Sequence, residues 1–404
     1  MQTGLDRLLG DESRLARLRT GRVGLLANPA SMTSVGLGFE HALDALVARL
    51  GKSVTVAFGP QHGMRGDKQY NMEESPSYTD SKHGIPVFSL YGDVRRPTPE
   101  MLDTFDVLLC DLQDVGWRGY TWVATLLYML EGCAGRGKSV WVLDRPNPAG
   151  RAVEGTRLVP GEESFVGVIP VPQRHGLTLG ELARYMVAHF GLDVDVDVVA
   201  MDGYAPEAGP GFGWPADLVW INPSPAIANL NCVRCYTGTV LLEGTNLSEG
   251  RGTTTPLEVF GAPGLQVDAL VADMRTLAPE FCEGCWLRPC FFEPFFDKYT
   301  RQLCAGVQIH ANFRGYDPNR FRPYRLISAM PKSLRRVQPD FELWRDFHYE
   351  YEPRSRQAID VINGGPSLRT WVDDPQASVA DWDAALRADE ASWMQERRAF
   401  LLYT

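Results

Sequence analysis

The chain has 404 residues, and at ~150 residues per domain it has room for two or three domains. Hydrophobic residues make up 44% and charged residues 22%, an ordinary globular balance that excludes a disordered chain and a coiled coil. The formal net charge is −10 with no dense Lys/Arg run, which argues against a nucleic-acid partner. No apolar run reaches the ~18 residues of a membrane span. The first thirty residues lack the pattern of a secretory leader, and eight cysteines are spread thinly over the chain. Together these suggest a cytoplasmic protein with reduced thiols.

Short apolar runs then alternate with helical patterns. Strands are expected over 22–28, 54–60, 87–92, 107–112 and 139–144. Runs that are apolar throughout suit a parallel sheet covered on both faces. Phe39, Leu43, Leu46 and Leu50 recur at helical spacing, as do Val123, Leu126, Leu127 and Leu130. Thr178 and Glu181 form a capping box that opens the helix GELARYMVAHF. This alternation predicts an open α/β sheet. Beyond residue 229, TGTVLLEG reads as a strand, LQVDALVADMRTLAPEF as a helix and GVQIHANF as a strand. The tail after Arg325 reads as mostly helical. The domains are placed at 1–229 and 230–404.

Ligands bind at the carboxyl ends of strands in such sheets. Polar, glycine-rich segments stand there: Gln61-His62-Gly63-Met64-Arg65-Gly66, Gln113 to Thr121, Arg145 to Pro148, and Gly244 to Pro256. Their carboxylates, Asp111, Asp114, Glu243 and Glu249, suit glycoside hydrolysis. That reaction needs a protonated acid at the leaving oxygen and a second group facing the sugar cation. Glu243, at the end of a partly buried strand, is the candidate acid. Arg118 and Arg251, with Arg65 behind them, could hold an anionic substrate group. His62, which precedes a glycine at a strand end, could face the cleft.

Other patterns carry less. GCAGRGKS at 132–139 matches a phosphate loop, but a helix precedes it and a strand follows, the reverse of the required order. The pairs Cys232/Cys235 and Cys282/Cys285 lie too far apart for a compact zinc ribbon and read as buried free thiols. The aromatic string WLRPCFFEPFF reads as core.

The strings GPQHGMRG, DLQDVGWRGYTWVATL, VWVLDRPNPAG, NPSP and LLEGTNLSEGRGTTTPLEVFGAP, taken in order, resemble the NamZ-type exo-β-N-acetylmuramidase family. FFEPFFDKYTRQLCAGVQIH is similar to that family's C-terminal part. The resemblance covers about residues 21–325. It implies a Rossmann-like N-terminal domain with a parallel sheet and a smaller C-terminal α/β domain that completes the cleft. It implies removal of N-acetylmuramic acid from the non-reducing end of peptidoglycan fragments, with no cofactor, metal or nucleotide. Under it, Glu243, Asp111, Asp114 and Gln61 are the catalytic candidates. His62, Arg65, Arg118, Tyr120, Asn246, Glu249 and Arg251 are the substrate-binding ones. The substrate is a small amino sugar or muropeptide.

One position departs. The family's motif usually reads PEHG, and Gln61 stands where its proposed catalytic glutamate would be. An amide can only orient groups by hydrogen bonds. Three readings follow. Asp67, Glu73 or Glu74 takes over; or the substrate's 2-acetamido group attacks, oriented by Asp111 or Asp114; or the protein binds the sugar, or a changed substrate, without this chemistry.

Overall fold

The computed structural model describes residues 1–350 and 355–403. Strands β1 (Val23–Ala27), β2 (Val54–Gly59), β3 (Tyr78–Thr79), β4 (Pro86–Ser89), β5 (Val107–Asp111) and β6 (Ser139–Leu143) come first. A two-strand ribbon of β7 (Glu154–Arg157) and β8 (Pro172–Arg174) precedes β9 (Asp195–Val199). The large sheet has the order β3-β4-β2-β1-β5-β6-β9. Its neighbours are parallel except for the short β3–β4 pair.

Successive side chains along a strand point to opposite faces. Leu25, Ala27 and Leu109 pack on one face with Leu5, Leu8, Leu43 and Leu46. Leu26, Leu108 and Cys110 pack on the other. Helices cover both faces, which is why the strands are apolar throughout. Strand order reverses between β1 and β5. There Arg145 grips the Asp111 carboxylate and donates to the Met32 carbonyl at 2.8 Å. These bonds tie the ends of β1, β5 and β6 together.

The second half carries β10 (Val259–Ala262), β11 (Trp286–Phe292) and β12 (Cys304–His310), an antiparallel sheet with β12 in the middle. Among the described residues the α-helices Pro323–Val337, Ala358–Asn363, Ser367–Asp373 and Val379–Glu396 follow. The two halves share one apolar core, from Leu26 to Trp393. The chain end returns to the first half: Trp393 donates to the His175 carbonyl at 2.8 Å, and Tyr403 donates to Asp144 at 2.7 Å.

Three expectations are corrected. TGTVLLEG is not a strand. It is the end of a helix (Leu230–Thr239) and a 3-10 turn (Val240–Gly244). Asn229 caps that helix by accepting from Cys232 N. Gly238 lies so close to Pro323 that a side chain would collide with its backbone, so β-branched neighbours are overruled by packing. Phe39 stays outside its helix, which starts at Ala42 behind the His41 cap. The string WLRPCFFEPFF is largely exposed. β11 is an edge strand, so Trp286 and Phe291 stand in solvent while Leu287 is buried.

The Thr178 capping box forms as expected. Its hydroxyl also donates to buried Asp144 at 2.7 Å. Thr178→Ala therefore removes a cap and one of the two hydroxyls that donate to Asp144 Oδ2, leaving that of Tyr403. It should cost about 2 kcal/mol, read as a lower urea midpoint at unchanged slope.

Candidate active site

The cavity lies where the loops after β2 and β5 meet the second half of the chain. At the end of β2 the backbone turns through His62, whose φ of +69° is left-handed. His62 Nδ1 lies 2.9 Å from the Lys68 carbonyl. A carbonyl only accepts, so Nδ1 carries the proton and Nε2 is left as an acceptor. Burial lowers the His62 pKa to about 4, so the ring is neutral at pH 7. Gln61 Oε1 accepts from Thr121 Oγ1 at 2.8 Å, which leaves its amide nitrogen as donor.

After β5, Asp114 folds the loop rather than facing the cavity. Its Oδ2 accepts from Gly116 N at 2.7 Å. Gly116 has φ +79°, and a Cβ there would collide with Asn147. This turn delivers Trp117 and Tyr120 to the cavity wall, where both rings meet Tyr236 edge-on.

The opposite wall is charged. Glu243 Oε1 accepts from Arg251 at 2.5 Å and Oε2 from the Tyr349 hydroxyl at 2.7 Å. Asn71 approaches the same carboxylate at 3.4 Å. Arg251 Nε is 3.3 Å from Glu249, which in turn lies 2.8 Å from Lys298. Burial alone would raise the Glu249 pKa, but Lys298 and Arg251 hold it below the usual range. Beside Tyr349 stands Glu350, with φ +46°. Its carboxylate oxygens sit 2.9 and 3.1 Å from the Tyr91 hydroxyl. Burial pushes Glu350 up to about 7, against the opposing pull of Tyr91 and Arg95, while Glu243 nearby adds to the rise.

Gln61, His62, Tyr120, Glu243, Arg251 and Glu350 thus share one cavity. Glu243 is bound by a guanidinium and a phenol. Glu350 is held near neutrality by its burial. Carboxyls in such unlike surroundings suit acid–base division of labour.

The remaining predicted residues lie elsewhere. Asp111 is fully buried and paired with Arg145. Asp114 is pushed up to about 7 by burial but does not line the cavity. Arg118 donates to the carbonyls of Thr156, Val171 and Asn363, at 2.9, 3.1 and 2.7 Å, and is a structural clamp. Arg65 pairs with Asp44 and Asp80 outside the cavity. Asn246 donates to the carbonyls of Glu342 and Trp344, steadying the segment that leads to Tyr349. Glu249 acts through Arg251. Asp67, Glu73 and Glu74 are exposed and replace nothing. Glu243 sits on the 3-10 turn rather than a strand end, and its ion pair suits a charged role better than that of an acid.

Sequence reasoning missed Glu350, Tyr349 and Asn71. No strand precedes Glu350, so the strand-end rule does not reach it. The alternation Phe347-His348-Tyr349-Glu350, an acid among aromatics, is the trace it leaves. Among the described residues no group of three or more His, Cys, Asp or Glu is placed to hold a metal ion. Burial raises the Cys232 and Cys285 thiols to about 12.

A sheet-edge cavity with one paired and one desolvated carboxyl is a glycosidase type of site. Comparison with known proteins specifies it. Models for the N-terminal and C-terminal parts of the exo-β-N-acetylmuramidase NamZ match residues 23–231 and 234–403. The chain belongs to this family. It is 35% identical to the peptidoglycan β-N-acetylmuramidase NamZ of Bacillus subtilis (strain 168), over all of this chain and 91% of that protein. Two crystal structures of DUF1343 family proteins from Bacteroides fragilis NCTC 9343 share the fold. Their TM-scores are 0.86 and 0.73, at 27% and 25% identity, each over 100% of this chain and 99% of the other.

The buried clamp and the outer ion pair separate in mutants. Arg118→Ala should destabilise the protein by at least ~3 kcal/mol, since it removes charge-assisted donors from three buried carbonyls. Arg65→Ala, at a partly exposed ion pair, should cost less than ~1 kcal/mol. Paired thermal melts check both.

Proposed function

We propose that this chain is an exo-acting glycoside hydrolase that removes N-acetylmuramic acid from the non-reducing end of peptidoglycan fragments. One observation carries the assignment of roles: Glu243 is ion-paired with Arg251 in the same cavity in which Glu350 is buried against Tyr91. Glu350 gives its proton to the glycosidic oxygen as the bond to the anomeric carbon breaks. The Glu243 carboxylate faces the positive charge that develops there. Water then adds hydroxide to the anomeric carbon, and its other proton restores the acid. Gln61, held by Thr121, offers an N–H to a substrate oxygen. Arg251 takes the lactyl carboxylate of the sugar; it is the one guanidinium among the described residues of the cavity wall.

The eight cysteines are free thiols, which supports a reducing, cytoplasmic setting and a role in recycling wall fragments. No described helix is long and apolar enough to cross a membrane.

Purified protein should release nitrophenol from a β-N-acetylmuramic acid glycoside and not from its N-acetylglucosamine counterpart. Binding without release would make it a sugar-binding protein instead. Glu350→Gln should lower turnover of the natural disaccharide by about 10²-fold or more. The nitrophenyl glycoside, whose leaving group needs less protonation, should lose less.

The pH profile follows from the direction of the shift. The required form of Glu350 is protonated, so kcat/KM should fall as pH rises through about 7. Glu350→Gln should lack that limb. Asp114 also titrates near 7, so a limb that survives the substitution would assign it to Asp114 and overturn the role of Glu350.

A further inference from the structure

A second groove opens directly beside the catalytic cavity. The two share Asn71, Ala226 and Arg251 in their walls. Its far side is aromatic: Tyr70, Phe295 and Phe296 line it, and they are 50%, 62% and 51% exposed. Tyr70 and Phe296 meet edge-on at 6.4 Å between ring centres. Apolar rings left in solvent at one place, beside a cleft, mark a binding surface.

The display of these rings is built in. Phe295 N donates to the Gly252 carbonyl at 2.9 Å, one residue from Arg251. Gly252 has φ +79°, and a Cβ there would run into the Phe296 backbone. Asp297, Tyr299 and Arg301 all adopt left-handed φ values, of +70°, +56° and +62°. Between them Lys298 turns inward and donates to the Leu242 and Leu247 carbonyls at 2.7 and 2.9 Å. The Arg301 guanidinium covers the Phe295 ring at 4.3 Å. A strained, anchored loop thus holds the two phenylalanines at the edge of the site.

We infer that this groove is the leaving-side subsite, which takes the N-acetylhexosamine ring that follows the scissile bond. The inference rests on the glycosidase reading above. An exo-acting enzyme has two kinds of substrate extension to place: the glycan on the leaving side, and the lactyl group with any peptide it bears. The groove favours the first. Aromatic faces match the apolar face of a pyranose ring, while Gln69, Asn71, Thr253 and Thr254 supply neutral hydrogen-bonding groups. Asp297 adds a carboxylate to the same wall, which disfavours an acidic peptide. Arg251, shared with the catalytic cavity, then stands at the junction between the ring that is cleaved off and the ring that leaves. Binding energy gained on the leaving ring can be used at the reacting carbon.

The test compares two substrates that share the muramic acid ring. One is the β-1,4 disaccharide of N-acetylmuramic acid and N-acetylglucosamine. The other is N-acetylmuramyl fluoride, whose leaving group has no ring. The readout is the ratio of kcat/KM for the disaccharide to kcat/KM for the fluoride. Phe295→Ala and Phe296→Ala should each lower this ratio at least tenfold. Turnover of the fluoride reports that each variant is folded and that the catalytic cavity works. An unchanged ratio would overturn the subsite. So would an effect seen only when a peptide is attached to the lactyl group, which would give the groove to the peptide. If the wild type hydrolyses neither substrate, the glycosidase reading itself fails, and that outcome is distinct from both.

Discussion

Arg251 lies between Glu243 and Glu249, and Glu249 in turn holds Lys298. This alternating chain of four buried charges is the joint of the site. Each ion is costly to bury alone, and each is compensated only while its neighbours stay in place. The chain also binds separate pieces of backbone together. Glu243 comes from the 3-10 turn, Arg251 from the following loop and Lys298 from the strained aromatic loop. Lys298 returns to the carbonyl of Leu242, the residue before Glu243, which closes the circuit. The catalytic cavity and the aromatic groove therefore keep their relative positions for one electrostatic reason.

The parallel sheet supplies the other wall. Its strand ends carry Gln61 and His62 after β2 and Trp117 to Tyr120 after β5. The rule that ligands gather at carboxyl ends points to the sheet edge where this cavity opens. It does not say which polar side chain turns inward. Asp111 is consumed by Arg145, and Asp114 by the backbone of Gly116. Arg118 is spent on three carbonyls. All three serve loop geometry, so the motif that marks the family most clearly is largely a scaffold for Trp117 and Tyr120.

The legible part of the fold is the part with local causes. Unbroken apolar strands, the Thr178 capping box and the helix–strand order around GCAGRGKS all follow from neighbours in sequence. The illegible part has distant causes. Val240 to Leu242 looks like a strand because its residues are apolar, yet the helix before it, packed at Gly238 against Pro323, continues into a 3-10 turn. Trp286 and Phe291 look like core, yet they fall on an edge strand and stand exposed among the described residues. Glu350 has no motif around it. Its burial depends on Tyr91, which lies in a different half of the chain. Residues whose role is set by a partner far away in sequence leave only compositional traces.

Gln61 illustrates how a departure from a family pattern can be consistent with its chemistry. The resemblance leads one to expect a glutamate there. With Glu243 and Glu350 already in the cavity, a third carboxylate would add like charge to a desolvated space. It would also repel the lactyl carboxylate that we propose Arg251 receives. A neutral amide avoids both effects. Thr121 fixes it so that a donor faces the substrate, which a carboxylate could not offer. On this view the site keeps two carboxyls for two tasks. One is paired with Arg251, and burial raises the pKa of the other.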